Sequence, residues 1–347
     1  MALKNSLRFA LRYVISLLVA GGLLWLVFRN IDLQYMLSKL KDIDYRFIIL
    51  SLAIGTVSHI ARAYRWNLLL EPIGFTGLST FRTFLAVMVG YIANLVFPRM
   101  GEVSKCGVLV KTDKVPLTTS LGTVVAERII DLLTLILLLA LTFIIEFSRL
   151  KNFFLDLIQD KLTGYENQLN VLLIIVIAIP ILILAAYFYL RSASSSKLRT
   201  HPLFIKIRGF LGQMVQGITS IRHLKKKKAF WFSTFIIWLC YFFMAYVVVF
   251  SLEETSGLGL SAGLSLLAMG SIGMAAPVQG GVGAFHLLVG SVLVLYGIEE
   301  TDGILFATIL HTSQALFIVV GGGISLILVA LISGKKTRED KIVNDRE

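Results

Sequence analysis

Hydrophobic residues come in long blocks along this chain, not in the one-on, one-off alternation of half-buried strands. Apolar runs occupy residues 9–28, 47–70, 81–97, 118–146, 171–190, 230–250, 258–276, 284–298 and 304–333. A helix needs about 20 such residues to cross the hydrocarbon core of a bilayer. The pattern predicts an all-α polytopic membrane protein, with residues 1–347 as one integral membrane domain and no stretch left over for a soluble catalytic domain. The first run follows Lys4, Arg8 and Arg12 as a secretion signal would, but it is long and no small-residue cleavage pattern ends it. It is therefore read as a permanent helix.

Composition agrees: 56% of residues are hydrophobic and 16% charged. The net charge of +12 changes the picture only through its placement. Its clusters flank apolar spans, where anionic headgroups attract Lys and Arg, and no nucleic-acid recognition motif accompanies them. Short cytoplasmic loops are enriched in these residues. That rule assigns to the cytoplasm the amino terminus, the linker 191–228 ending in Lys225-Lys226-Lys227-Lys228, and the charged tail 334–347. Cell-membrane residence, plasma or inner, is expected.

Parity then constrains the path. The amino terminus and the 191–228 linker share a side, yet five apolar runs separate them. The conflict disappears if 81–97 enters from the cytoplasm, turns at Pro98 to Gly101, and returns through 102–113, which leaves Lys111 and Lys114 on the cytoplasmic side. The second half repeats the device. Glu253 and Glu254 precede, and Glu299, Glu300 and Asp302 follow, a pair of runs that turn at Pro277 to Gly283. The sequence thus reads as about six full crossings plus two broken re-entrant hairpins inserted from opposite faces, in an inverted-repeat arrangement. Arg29, Lys39, Lys41 and Arg46 in the first external loop run against the charge rule, partly offset by Asp32, Asp42 and Asp44.

Irregular backbone at membrane depth is tolerated only inside protein or beside a wet cavity. Broken transporter helices aim their positive amino-terminal ends at anionic substrate groups. The stretch NLVFPRMGEVSK, Asn94 to Lys105, and the stretch PVQGGVGAFH, Pro277 to His286, are candidates for such ends. Gly280, Gly281 and Gly283 suit either close approach of a phosphate or tight helix packing. Ionisable residues inside spans are costly and usually paired or functional. Glu127 and Asp131 are four apart on one helical face, which must look inward, and Arg128 is within reach of Asp131 at three apart. Arg62 and Arg65 are read as snorkelling to headgroups from the end of the second span, with His59 nearby. His286 and His311 are single histidines on apolar helices, more often interior hydrogen-bonding groups than metal ligands. Two cysteines, Cys106 and Cys240, without a paired motif indicate neither a disulfide framework nor a metal site. No cofactor is expected, and the absence of recognisable catalytic motifs argues against an enzyme.

Outside the spans, Leu203, Ile207, Phe210, Met214, Ile218 and Ile221 fall at three- and four-residue steps, predicting an amphipathic basic helix at 200–228. It suits anionic headgroups of the cytoplasmic leaflet or a partner protein.

Asn94, Pro98, Arg99 and Gly101-Glu102, then Glu127-Arg128 with Asp131, and later Pro277 with Gly280-Gly281-x-Gly283, resemble the flippase-like transmembrane family. That family includes the membrane portion of the lysylphosphatidylglycerol synthases. The resemblance covers nearly the whole chain and implies a unit that translocates or handles lipid. The family's aminoacyl transferase domain is not found here, so lipid aminoacylation is not expected. His286 stands where many relatives are expected to carry an acidic residue. The expectation is a transporter-like protein moving a phospholipid or lipid-linked substrate with an anionic headgroup between leaflets. The substrate-binding candidates are Asn94, Pro98, Arg99, Gly101, Glu102, Glu127, Arg128, Asp131, Pro277, Gly280, Gly281, Gly283, His286 and His311, gathered in a midplane cavity between the hairpins. A scaffold or accessory subunit for a lipid-modifying or glycan-assembling enzyme, docking through 200–228, is the alternative, and self-association is compatible with either.

Single cysteines at Thr255 and Glu300 are expected to label from outside intact cells and one at Lys226 is not. Labelling of 255 and 300 from opposite sides would make the second hairpin a full crossing.

Overall fold

The computed structural model describes residues 14, 17–29, 31–97, 100–149, 224–276 and 278–344, without the side chains of 335–344. The run at 171–190 and the amphipathic segment up to residue 223 lie outside them, as do Pro98, Arg99 and Pro277. Among the described residues all regular structure is helical. We number the helices α1 (Leu17–Phe28), α2 (Leu33–Lys39), α3 (Tyr45–Leu70), α4 (Thr80–Val96), α5 (Gly101–Asp113), α6 (Leu117–Ile145), α7 (Lys227–Tyr246), α8 (Leu260–Ala275), α9 (Ala284–Val294) and α10 (Glu300–Asn344).

Local chemistry starts several of these helices. Asp32 accepts hydrogen bonds from the Gln34 and Tyr35 amides ahead of α2, and Asp44 from the Arg46 amide ahead of α3. Each satisfies amides that a helix start leaves without intrahelical partners. Among the described residues four helical stretches are long and apolar enough to cross a membrane: Tyr45–Ile73, Leu117–Ile145, Lys227–Ser251 and Glu300–Gly334. The arms α4, α5, α8 and α9 are shorter, at 17, 13, 16 and 11 residues.

Those short arms form the two hairpins expected from the sequence. The first breaks after Val96 and resumes at Gly101; the second breaks after Ala275 and resumes at Ala284. In the first, Arg82 pairs with Asp113 at the base (Nε to Oδ1 2.9 Å) while the Asn94 side chain accepts from the Gly101 amide at the tip (2.7 Å), so α4 and α5 run antiparallel. The second closes likewise, with Ser265 and Tyr296 hydroxyls 2.9 Å apart near its base.

The bases lie at opposite ends of the bundle. Asn67, near the end of α3, bonds to Leu78 and Thr83 beside the first base, and Glu71 pairs with Lys226 at 2.8 Å. At the other end Asp44 bonds to Ser251, and the Tyr246 hydroxyl to the Leu258 carbonyl beside the second base. The hairpins therefore point toward each other, and a Cβ on Gly280 would come within 2.8 Å of Leu95. Arg149 stacks over the Tyr296 ring at the Ser251 end, whereas Leu224 packs on Leu68 and Leu69 at the Glu71 end. The residues flanking the 150–223 segment thus stand at opposite ends.

The apolar core is split to match. One cluster surrounds the second hairpin with α2 and the start of α10, including Val289, Leu293 and Phe306; another surrounds the first with Trp66, Leu85, Cys106 and Leu109. At the Ser251 end, Lys39 pairs with Glu254 and holds its carboxyl below the usual carboxylate range, chiefly through their hydrogen bond.

Close approach in the first hairpin depends on glycine. A Cβ on Gly101 would overlap the Gly90 carbonyl and reach within 2.5 Å of the Asn94 side chain. Gly101→Ala is expected to lower stability by about 1–3 kcal/mol, the usual cost of overpacking. Gly107→Ala, whose Cβ meets open space, should shift it by less than about 1 kcal/mol. Thermal unfolding in detergent compares the two.

Candidate functional site

Arg62 and Arg65 are one helical turn apart on α3, and Glu127 and Asp131 one turn apart on α6. The antiparallel packing of these helices brings the two pairs face to face. Arg62 donates to Glu127 Oε1 at 2.8 Å and to Asp131 Oδ2 at 3.0 Å. Arg65 donates to Asp131 Oδ1 at 2.7 Å and to Glu127 Oε1 at 3.4 Å. Lys105 of α5 completes the set, donating to Glu127 Oε2 at 2.8 Å, with its ammonium 4.4 Å from the centre of the Trp66 ring. All five side chains are buried, Arg65 and Glu127 completely.

This corrects two expectations. Arg62 and Arg65 do not snorkel: their guanidinium groups turn into the bundle because two carboxylates are held there. Nor does Arg128 reach Asp131. It lies on another face of α6, where its guanidinium stands 3.4 Å from Glu102 Oε1 with 46% of its side chain exposed. Asp131 is already engaged by the two arginines of α3.

The network opens on one side into a cleft of about 230 Å³, open surroundings included, lined by Arg62, Val87, Gly90, Tyr91, Asn94, Gly101, Glu102, Lys105 and Arg128. Its floor is the start of α5, whose first amide is capped by Asn94. Behind Tyr91 lies buried His59, with ring centres 4.8 Å apart and a buried Nδ1 that has no hydrogen-bond partner among the described residues. Three cations face two carboxylates in the buried network; Arg128 and Glu102 raise the count to four against three. The described part of the cleft therefore carries one surplus positive charge beside the positive end of a helix.

Of the candidates read from the sequence, the structure brings Asn94, Gly101, Glu102, Glu127, Arg128 and Asp131 to this cleft and its wall. Pro98, Arg99 and Pro277 lie outside the described residues. The remaining five form a separate group at the second break. Gly280, Gly281 and Gly283 all have positive φ, and a Cβ on Gly283 would come within 2.5 Å of Leu23 on α1, so close packing accounts for it. The buried His286 accepts from the Gly283 amide at 3.3 Å, and His311 Nε2 lies 2.8 Å from the Gly280 carbonyl. Their ring centres are 4.9 Å apart. Among the described residues the cleft accordingly lies between the first hairpin, α3 and α6, not between the two hairpins. Among the described residues no group of acidic, His or Cys side chains is arranged to hold a metal ion.

Arg62, Arg65 and Lys105 are the members that the sequence reading did not select. Their signal was present: two basic residues one turn apart in one span match the spacing of two acidic residues in another.

The sequence profile of the family described as lysylphosphatidylglycerol synthase TM region matches residues 13–322. No curated protein and no solved structure matches the chain.

Removing one partner from a buried ion pair costs about 3–5 kcal/mol, so Arg65→Met should lower stability by that amount. Arg128→Gln, half in the open, should cost no more than about 1 kcal/mol. Thermal unfolding of both variants in detergent checks the contrast.

Proposed function

The chain belongs to the lysylphosphatidylglycerol synthase transmembrane-region family, and from that premise we propose that this lipid-handling membrane protein moves a polar lipid with an anionic headgroup between the two leaflets of a bilayer. The observation that carries the reading is the cleft of the first hairpin, where Arg62, Lys105 and Arg128 line a pocket holding one surplus positive charge. Guanidinium groups offer planar forks that match phosphate oxygens, and an ammonium adds a point charge.

The buried carboxylates have a definite part in this mechanism. Glu127 and Asp131 hold Arg62 and Arg65 in place, so that cations can stand inside the bundle without a ligand. A headgroup phosphate entering the cleft meets Lys105 and Arg128 on its two walls while its acyl chains stay in hydrocarbon. The break between α4 and α5 sits beside this pocket, where unpaired backbone tolerates a wet surface but not lipid. The chain on this reading moves lipid and performs no covalent chemistry. It resides in the plasma or inner membrane with the Glu71 end, both termini and Lys225 to Lys228 on the cytoplasmic side.

The purified chain in phosphatidylcholine liposomes is expected to expose fluorescent phosphatidylglycerol from the inner leaflet to an external quencher. Arg128→Gln should slow that exchange about tenfold, the equivalent of about 1.4 kcal/mol of lost headgroup attraction. Liposomes in which the unaltered chain gives no exchange above protein-free controls would overturn the reading.

A further inference from the structure

Glu102 is not held like the other carboxylates of the site. Glu127 accepts from three cations and Asp131 from two. Among the described residues Glu102 has a single long ion pair, 3.4 Å from Oε1 to Arg128, and its buried Oε2 has no hydrogen-bond partner. A carboxylate oxygen out of water and unpaired is costly. It persists here in the first turn of α5, where the helix end favours negative charge. It also lines the cleft beside Lys105 and Arg128, the groups a headgroup phosphate would meet.

Resting on the proposed lipid-moving function, we propose that Glu102 sets the charge of the headgroup the cleft accepts, selecting monoanionic phosphodiesters over dianionic phosphomonoesters. With Glu102 ionised, four cations stand against three carboxylates among the described residues, and one negative charge completes the balance. A phosphodiester such as that of phosphatidylglycerol brings one. A phosphomonoester brings two and leaves an uncompensated negative charge where screening is poor. Without the Glu102 carboxylate the surplus becomes two, and the preference reverses. Glu127 and Asp131 cannot play this part, because both are shared by Arg62 and Arg65, which have no buried counter-ion among the described residues besides these two.

The test uses the full chain in phosphatidylcholine liposomes at pH 8, above the second phosphate pKa of about 6, with trace fluorescent phosphatidylglycerol or phosphatidic acid. The native chain should move the phosphodiester at least about tenfold faster than the phosphomonoester. Glu102→Gln, nearly identical in shape and checked for unchanged thermal stability, should erase or invert that ratio. The double variant Glu102→Gln with Arg128→Gln returns the surplus to one and should restore the ratio, although both rates fall. An unchanged ratio in Glu102→Gln, or a double variant that keeps the inverted preference, would overturn the role of Glu102 while leaving lipid movement standing. Absence of movement by the native chain would instead fail the function on which this rests. Millimolar inorganic phosphate on both sides, a dianion at this pH, should leave the lipid rates unchanged; competition by the free anion would overturn the selection of monoanionic phosphodiesters.

Discussion

Glu127 is wholly buried, and its two oxygens are occupied by cations from two other helices. Arg62 and Arg65 come from α3 and Lys105 from α5, so this one carboxylate ties the first hairpin to the long helices beside it. Asp131 doubles the tie to α3. An ion pair of this kind seldom adds much net stability, because desolvation offsets attraction. Its effect is on geometry: no partner can leave without stranding another charge, so α3, α5 and α6 are held at a fixed register. The cleft exists because that register is fixed.

The two hairpins answer the same constraint differently. Each interrupts a helix, freeing backbone groups that hydrocarbon cannot satisfy. In the first, the freed Gly101 amide is met by a side chain from the opposite arm, and charged residues collect around it. In the second, glycines fold the backbone tightly against α1 and α8, and two histidines bond to that backbone in a surrounding of aromatic rings. One break is arranged around cations and the other around packing. The inverted arrangement of the arms does not extend to their chemistry.

Position along the charge network also separates roles that residue type alone does not. Glu102, Glu127 and Asp131 are all carboxylates in or beside apolar helices, but among the described residues their ion-pair partners number one, three and two. Arg65 and Arg128 are both arginines, one fully buried and one half in the open.

The sequence by itself determined the all-helical class, four of the long spans, the two breaks and the inward face of Glu127 and Asp131. Each of these rests on local properties: run length against bilayer thickness, the inability of proline and glycine to continue a helix, and three- or four-residue spacing. It also contained both halves of the network, Arg62 with Arg65 and Glu127 with Asp131, yet it did not reveal that they meet. Which helix lies beside which is decided by packing between segments more than sixty residues apart, and an arginine near the end of a span has the same sequence whether it turns toward headgroups or into the bundle. Only the tertiary structure brought α3 and α6 together, turned Arg128 from Asp131 to Glu102, recruited Lys105 and placed the cleft beside the first hairpin. The reason is physical: a charge in hydrocarbon goes where its counter-charge is, and that location is a property of the assembled helices and not of any one of them.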